Sequence, residues 1–68
     1  MEREVRDKNN QIIGCCRDYG DQIQAYSYKK GVVGRYVKSS YITFDKSGNI
    51  YSYDDATSSL VRDAERDD

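Results

Sequence analysis

Three short segments of the chain share one turn-forming pattern. They are DKNNQI (residues 7–12), DYGDQI (18–23) and DKSGNI (45–50), each with aspartate first, an amide residue fifth and isoleucine sixth. An aspartate side chain can bond the backbone two residues further on, and Gly or Asn tolerates the positive φ of a tight hairpin. The β-branched residue that follows begins a returning strand. The pattern therefore predicts β-hairpins at these places.

The segments between the turns predict short strands, and the end of the chain predicts a helix. KKGVV (29–33) adds a further reversal centred on glycine. The predicted strands lie near residues 2–6, 11–17, 22–28, 32–38, 40–45 and 49–53. From residue 54 onward the apolar residues Ala56, Leu60 and Ala64 are spaced four apart, which is helical periodicity. We expect a short helix at about 54–66 behind an Asp54 or Asp55 cap, with a frayed acidic end at 64–68.

The length of the chain limits it to one small domain, residues 1–68. A chain of 68 residues buries only about 60% of its unfolded surface, so its core is thin. We predict a mostly β fold, a small antiparallel β-meander of five or six short strands with a short C-terminal helix. One short helix cannot cover both faces of such a sheet. Either the sheet curls into a barrel, or a second copy covers the remaining face, or that face is left for a ligand.

Alternation along the strands predicts which side chains share a face. Tyr26 and Tyr28 lie two apart on one strand, and Tyr51 and Tyr53 do so on another. The candidates for an aliphatic face are Ile13, Cys15, Ile23, Ala25, Val33, Val37, Ile42, Phe44 and Ile50. We therefore expect one aliphatic face and a separate surface rich in tyrosine.

The residue types argue against an enzyme. Histidine is absent, which removes the commonest general base and the commonest zinc ligand. Two adjacent cysteines, Cys15 and Cys16, cannot supply the four ligands of a thiolate metal site. The oxygen-rich loop that starts at Asp45 fails as an EF-hand, because its twelfth residue is Ala56 instead of a bidentate glutamate. We predict no catalytic residues, no metal site and no cofactor.

Tyrosine supplies seven of the eight aromatic residues, and tyrosine and arginine are the residues that anchor protein interfaces. The predicted function is a non-enzymatic protein-interaction module that self-associates, most simply as a homodimer. Another protein partner, including one that adds a strand to a sheet edge, remains an alternative. The predicted contact surface consists of Tyr26, Tyr28, Tyr36, Tyr51 and Tyr53.

The alternative function is binding of single-stranded nucleic acid. The segment AYSYKKGVVGRYVK (25–38) combines tyrosines with basic residues, and small β folds hold single strands by stacking bases on aromatic rings while cations meet phosphates. The predicted phosphate contacts are Lys29, Lys30, Arg35 and Lys38. The formal net charge of -1 weakens this alternative, because nucleic-acid-binding domains are usually basic.

The sequence also predicts where the protein works. No segment reaches the length of a transmembrane helix, and Met1 is followed by Glu2, Arg3 and Glu4 instead of an apolar signal region. Free adjacent thiols are typical of a reducing compartment. We expect a soluble cytoplasmic protein with no membrane partner. In its repeated turns the chain resembles small β-meander proteins of bacteria or phages, a resemblance that implies no functional residues.

Overall fold

The computed structural model describes residues 2–66, which form six strands followed by one helix. The elements are β1 (Glu2–Arg6), β2 (Ile12–Asp18), β3 (Gln22–Ser27), β4 (Gly31–Val37), β5 (Ile42–Asp45), β6 (Ile50–Ser52) and α1 (Thr57–Arg66). Each strand end lies within two residues of its predicted position. The helix begins at Thr57, three residues after its predicted start, and ends at Arg66, with Ala64 of its last turn buried against the sheet. Residues 67 and 68 lie outside the described part of the chain.

The strands form one antiparallel sheet in the order β1-β2-β3-β4-β5-β6, each pairing with its neighbours along the chain. This confirms the predicted β-meander with a C-terminal helix. The sheet is open, because β1 and β6 lie at opposite edges of it. Closure into a barrel would need a hydrogen-bonded ladder between those two strands, and β6 has only three residues to offer.

Two of the repeated turns have the same geometry. Asp7 Oδ1 accepts hydrogen bonds from the amides two and four residues further on, at 2.8 and 3.0 Å. Asp45 Oδ1 does the same at 2.9 and 3.0 Å. The fourth residue of each turn has positive φ, 65° at Asn10 and 89° at Gly48, a conformation that asparagine and glycine tolerate. The sequence pattern therefore marks a hairpin turn, as predicted.

Three β-bulges follow the turns and alter the alternation of side chains. Each adds one unpaired residue to a returning strand, Ile13 in β2, Val33 in β4 and Tyr51 in β6, as the shifts in register show. Ile13 and Val33 are buried in the core beneath α1, and the Tyr51 hydroxyl reaches Asp63 in α1. The three bulges thus direct three extra side chains to the helix side of the sheet.

The core lies between α1 and the first four strands. Its buried members are Val5, Ile13, Cys16, Ala25, Val33, Leu60, Val61 and Ala64. Gly14 and Gly34 let the helix approach closely. A Cβ atom on Gly14 would lie 2.6 Å from Val61 Cγ1, and one on Gly34 would lie 2.5 Å from Leu60 Cδ1. The helix therefore packs almost directly on the backbone of β2 and β4.

Polar side chains fix the start of α1. Asp55 Oδ1 accepts hydrogen bonds from the amide and the hydroxyl of Thr57, at 3.2 and 2.8 Å. Thr43 of β5 accepts from the amide of Ala56 at 3.0 Å and donates to the carbonyl of Asp54 at 2.5 Å. Asp55 is thus the capping residue, one of the two predicted, and Thr43 joins the helix start to the sheet.

Candidate interaction surface

The face of the sheet opposite α1 is the candidate site, and the strand register defines it. Residues directly opposite one another on paired strands share a face, and Gly14, Ala25 and Gly34 lie on the helix side. The neighbouring rows of paired residues therefore lie on the other side, which we call the open face. Its residues are Glu2, Arg17, Gln24, Arg35, Phe44 and Ile50; Glu4, Cys15, Tyr26 and Val32; and Gln22, Val37 and Ile42.

The open face exposes apolar side chains between charged ones. Tyr26, Val32 and Ile50 are 38%, 47% and 51% exposed, and Val37 and Ile42 are partly exposed. Such a surface is more apolar than a sheet face that only meets water. The open face is therefore suited to contact with another molecule.

The predicted aliphatic face is divided between the two sides of the sheet. Ile13, Ala25 and Val33 lie in the core under α1 and Ile23 packs against it. The remaining candidates, Cys15, Val37, Ile42, Phe44 and Ile50, lie on the open face. The bulges separate Ile13 from Cys15 and Val33 from Val37 within their strands. Ile42 and Phe44 lie on the open face because they pair with Val37 and Arg35.

The structure brings two of the five predicted contact tyrosines together. The rings of Tyr26 and Tyr28 meet edge to face, with centroids 5.9 Å apart and planes at 65°. Tyr26 belongs to the open face and Tyr28 continues it beyond the end of β3. Together they form an aromatic corner, a pairing that alternation along one strand predicts.

The other three tyrosines lie elsewhere. Tyr36 pairs with Thr43 and so lies on the helix side. The Tyr51 hydroxyl donates to the Asp63 carboxylate of α1, which raises the pKa of Tyr51 to about 12 and lowers the pKa of Asp63. Tyr53 follows the last residue of β6 and is 75% exposed. The Tyr51 hydrogen bond therefore connects β6 to the helix.

The four cations of the nucleic-acid alternative are spread over the molecule. Lys29 and Lys30 lie in the turn before β4, and Lys38 lies just after its end, roughly 23 Å away for seven extended residues. Both Asp18 carboxylate oxygens accept from Lys38 Nζ at 2.9 Å, which together with the Gly20 amide lowers the pKa of Asp18. These three lysines therefore do not form one phosphate-binding patch.

Arg35 is the fourth of these cations, and it lies on the open face. Its guanidinium carbon is 5.5 Å from the centre of the Phe44 ring, within the range of a cation–π contact. None of the ion pairs between described residues involves Arg35. An open groove of about 510 Å³ surrounds it, lined also by Gln22, Gln24, Val32, Gly34, Asp45 and Lys46. The contact with Phe44 depends on the register of β4 and β5, so the sequence alone gives no signal for it.

The opposite end of the open face carries an ion pair over a buried cysteine. Arg17 Nε lies 2.6 Å from Glu2 Oε2, and this hydrogen bond lowers the pKa of Glu2. Cys15 beneath it is 4% exposed, and burial, with the neighbouring Glu2 carboxylate, raises the pKa of its thiol. A buried thiol held in its protonated form is a weak nucleophile. Both cysteines are free and buried.

Within residues 2–66, no three His, Cys, Asp or Glu side chains come together as metal ligands would. The helix in this part of the chain is too short and too polar to cross a membrane. Comparison with protein-family models, curated proteins and solved structures finds no match to this chain.

Proposed function

We propose that this protein is a non-enzymatic protein-interaction module that forms a homodimer through the open face. The observation that supports the proposal is that α1 packs on one side of β1 to β4, while Tyr26 and Val32 stay exposed on the other side. Apolar side chains exposed together on a sheet face are typical of protein contact sites. A thin core in a chain of this size also gains stability from association.

The sheet edges favour contact through the face over contact through an edge. Four of the five residues of β1 are charged, and β6 has only three residues. Charged and short edge strands are devices that prevent another strand from pairing. The unpaired backbone groups at the edges are therefore poor docking sites, and the open face is the better one.

The size of the face limits the area that a dimer contact can bury. The molecule measures 33 by 25 Å across its two longest dimensions, so its broad side has an outline of about 800 Å², close to what each partner buries in a standard interface. The sheet occupies only part of that outline. We therefore propose a weak dimer that dissociates on dilution. A cytoplasmic location is part of the proposal, supported by the two free cysteines.

Sedimentation velocity across dilution tests this proposal with the variant Val32→Glu. Val32 is 47% exposed, so the monomer tolerates a polar side chain there. In a dimer joined through the open face, the new carboxylate would be buried without a partner. We expect wild type to shift from monomer to dimer between about 1 μM and about 1 mM, and Val32→Glu to raise the dissociation constant at least about tenfold.

Ser59→Glu is the matched control for this experiment. It introduces the same charge at an exposed position on α1, on the other side of the sheet, and should leave the dissociation constant unchanged. A wild type that stays monomeric at the highest concentration would overturn the proposal, as would an equal effect of the two variants. If that monomer binds a labelled single-stranded oligonucleotide in a salt-dependent manner, the open face serves nucleic acid instead.

A further inference from the structure

One row of the open face has a charge pattern that complements itself. Glu2, Arg17, Gln24 and Arg35 pair directly across β1, β2, β3 and β4, so they form a straight line over four strands. Their charges run negative, positive, neutral, positive. With neighbouring strands about 4.8 Å apart, Glu2 and Arg35 are separated by about 14 Å along this row.

Two symmetric ways of stacking two open faces can be compared by this row. A two-fold axis that runs along the strands between β2 and β3 reverses the row, so that Glu2 faces Arg35 of the second copy and Arg17 faces Gln24. An axis that runs across the strands lays each strand over itself, so that Arg17 faces Arg17 and Glu2 lies near Glu2. The first arrangement pairs opposite charges and the second opposes like charges, which costs several kcal/mol.

The packing of α1 agrees with the first arrangement. The helix packs on the other side of β1 to β4 and contacts β2 and β3 most extensively. A two-fold axis between β2 and β3 therefore lies opposite the helix, across the sheet. The second row, Glu4, Cys15, Tyr26 and Val32, is reversed in the same way, so that Tyr26 faces the Cys15 position and Val32 faces Glu4 of the other copy. Cys15 is only 4% exposed, so the Tyr26 ring packs on the side chains that cover it.

We propose that two copies stack open face to open face about this two-fold axis, and that Glu2 of each copy pairs with Arg35 of the other. This inference rests on the proposed function and names its partner and its register. The Phe44 ring positions the Arg35 guanidinium, and a planar guanidinium can grip a carboxylate through two hydrogen bonds. Glu2, already bonded to Arg17, then bridges an arginine of each copy.

Charge exchange between the two residues tests the register. Arg35→Glu alone places two carboxylates against each other at both ends of the dimer, and Glu2→Arg alone places two guanidinium groups there. We expect each variant, measured alone by sedimentation velocity, to dissociate at least about tenfold more readily than wild type. An equimolar mixture restores opposite charges at both contacts of a mixed dimer, so the mixture should associate about as tightly as wild type.

Lys8→Glu is the matched control, because it reverses a charge at an exposed hairpin turn outside the row. Mixing it with Glu2→Arg should not restore association.

The double variant with both Arg35→Glu and Glu2→Arg in one chain should dimerise by itself, and thermal unfolding of each variant verifies that it folds. If wild type dimerises and Val32→Glu prevents it, but neither the mixture nor the double variant is restored, the face is correct and this register is wrong. A monomeric wild type overturns both proposals.

Discussion

Tyr41 holds the costliest backbone conformation among the described residues. Its φ is +59°, in the left-handed region, while its amide donates to the Val37 carbonyl at 3.0 Å to close the turn between β4 and β5. This region costs an L-residue with a bulky side chain about 1–2 kcal/mol. The side chain is 70% exposed, so burial offsets little of that cost.

We expect Tyr41→Gly to raise the free energy of unfolding by about 0.5–1 kcal/mol. Glycine removes the steric cost at positive φ, and the larger conformational entropy of its unfolded chain cancels part of the gain. Urea denaturation of the two proteins measures the difference. Asn10→Gly is the control, since Asn10 also has positive φ but tolerates it, and should change stability by less than about 0.5 kcal/mol. An equal gain from both substitutions would contradict the explanation.

The ion pair between Asp18 and Lys38 predicts a dependence of stability on pH. Lys38 and the Gly20 amide lower the pKa of Asp18 in the folded protein. A carboxyl group with a lowered folded pKa stabilises the fold above its unfolded pKa, about 3.9, and loses that contribution as the pH falls through the folded value. Asp18→Asn should therefore melt below wild type at neutral pH, and this gap should close below about pH 4.

Thermal melting of wild type and variant over a pH series measures that gap. Asp21→Asn is the control, because it neutralises a carboxylate of the same turn that pairs with no cation among residues 2–66. Its gap from wild type should be smaller. A gap for Asp18→Asn that stays constant down to about pH 3 would show that the charge of Asp18 does not stabilise the fold.

At the scale of elements, the contact between α1 and β2 depends on Gly14. A Cβ atom there would lie 2.2 Å from the Tyr26 carbonyl oxygen and 2.6 Å from Val61 Cγ1. Backbone on one side and a fully buried side chain on the other leave little room to adjust. We expect Gly14→Ala to lower the free energy of unfolding by about 3 kcal/mol, a large share of the stability of a domain this small.

Gly48→Ala is the control for that prediction. It adds the same methyl group where no atom lies within 4 Å, and its cost comes only from its φ of +89°, about 1–2 kcal/mol. Urea denaturation ranks the two variants. If Gly14→Ala is no more damaging than Gly48→Ala, the helix does not pack on the strand as closely as described.

The elements also show which features of the fold the sequence could predict. The strand ends were predictable because each turn depends on residues close together in the sequence. An Asp side chain binds the backbone amides that follow it, and a nearby residue tolerates positive φ. The faces were not, because they depend on bulges at Ile13, Val33 and Tyr51 and on the register between strands, which no local residue type marks. A single inserted residue sends the following side chains to the other face.

At the scale of the whole molecule, the candidate site follows from register between strands that the sequence does not specify. Tyr26 and Tyr28 could be placed together from their spacing, and the structure does so. The contact of Arg35 with Phe44 and the row from Glu2 to Arg35 join residues far apart in the chain. The open sheet likewise depends on how far the last strand extends, which composition does not reveal.

The order of the elements has a consequence for synthesis on the ribosome. All six strands leave the ribosome before α1, and α1 supplies Leu60, Val61 and Ala64, the side of the core that covers the sheet. Until α1 emerges, both faces of the nascent sheet are exposed to other chains, a state prone to aggregation. The N-terminal strand β1 also lacks a native contact until then, since Arg62 Nε of α1 donates to the Arg6 carbonyl of β1 at 3.2 Å. The domain therefore gains its core only when translation of its last element is complete.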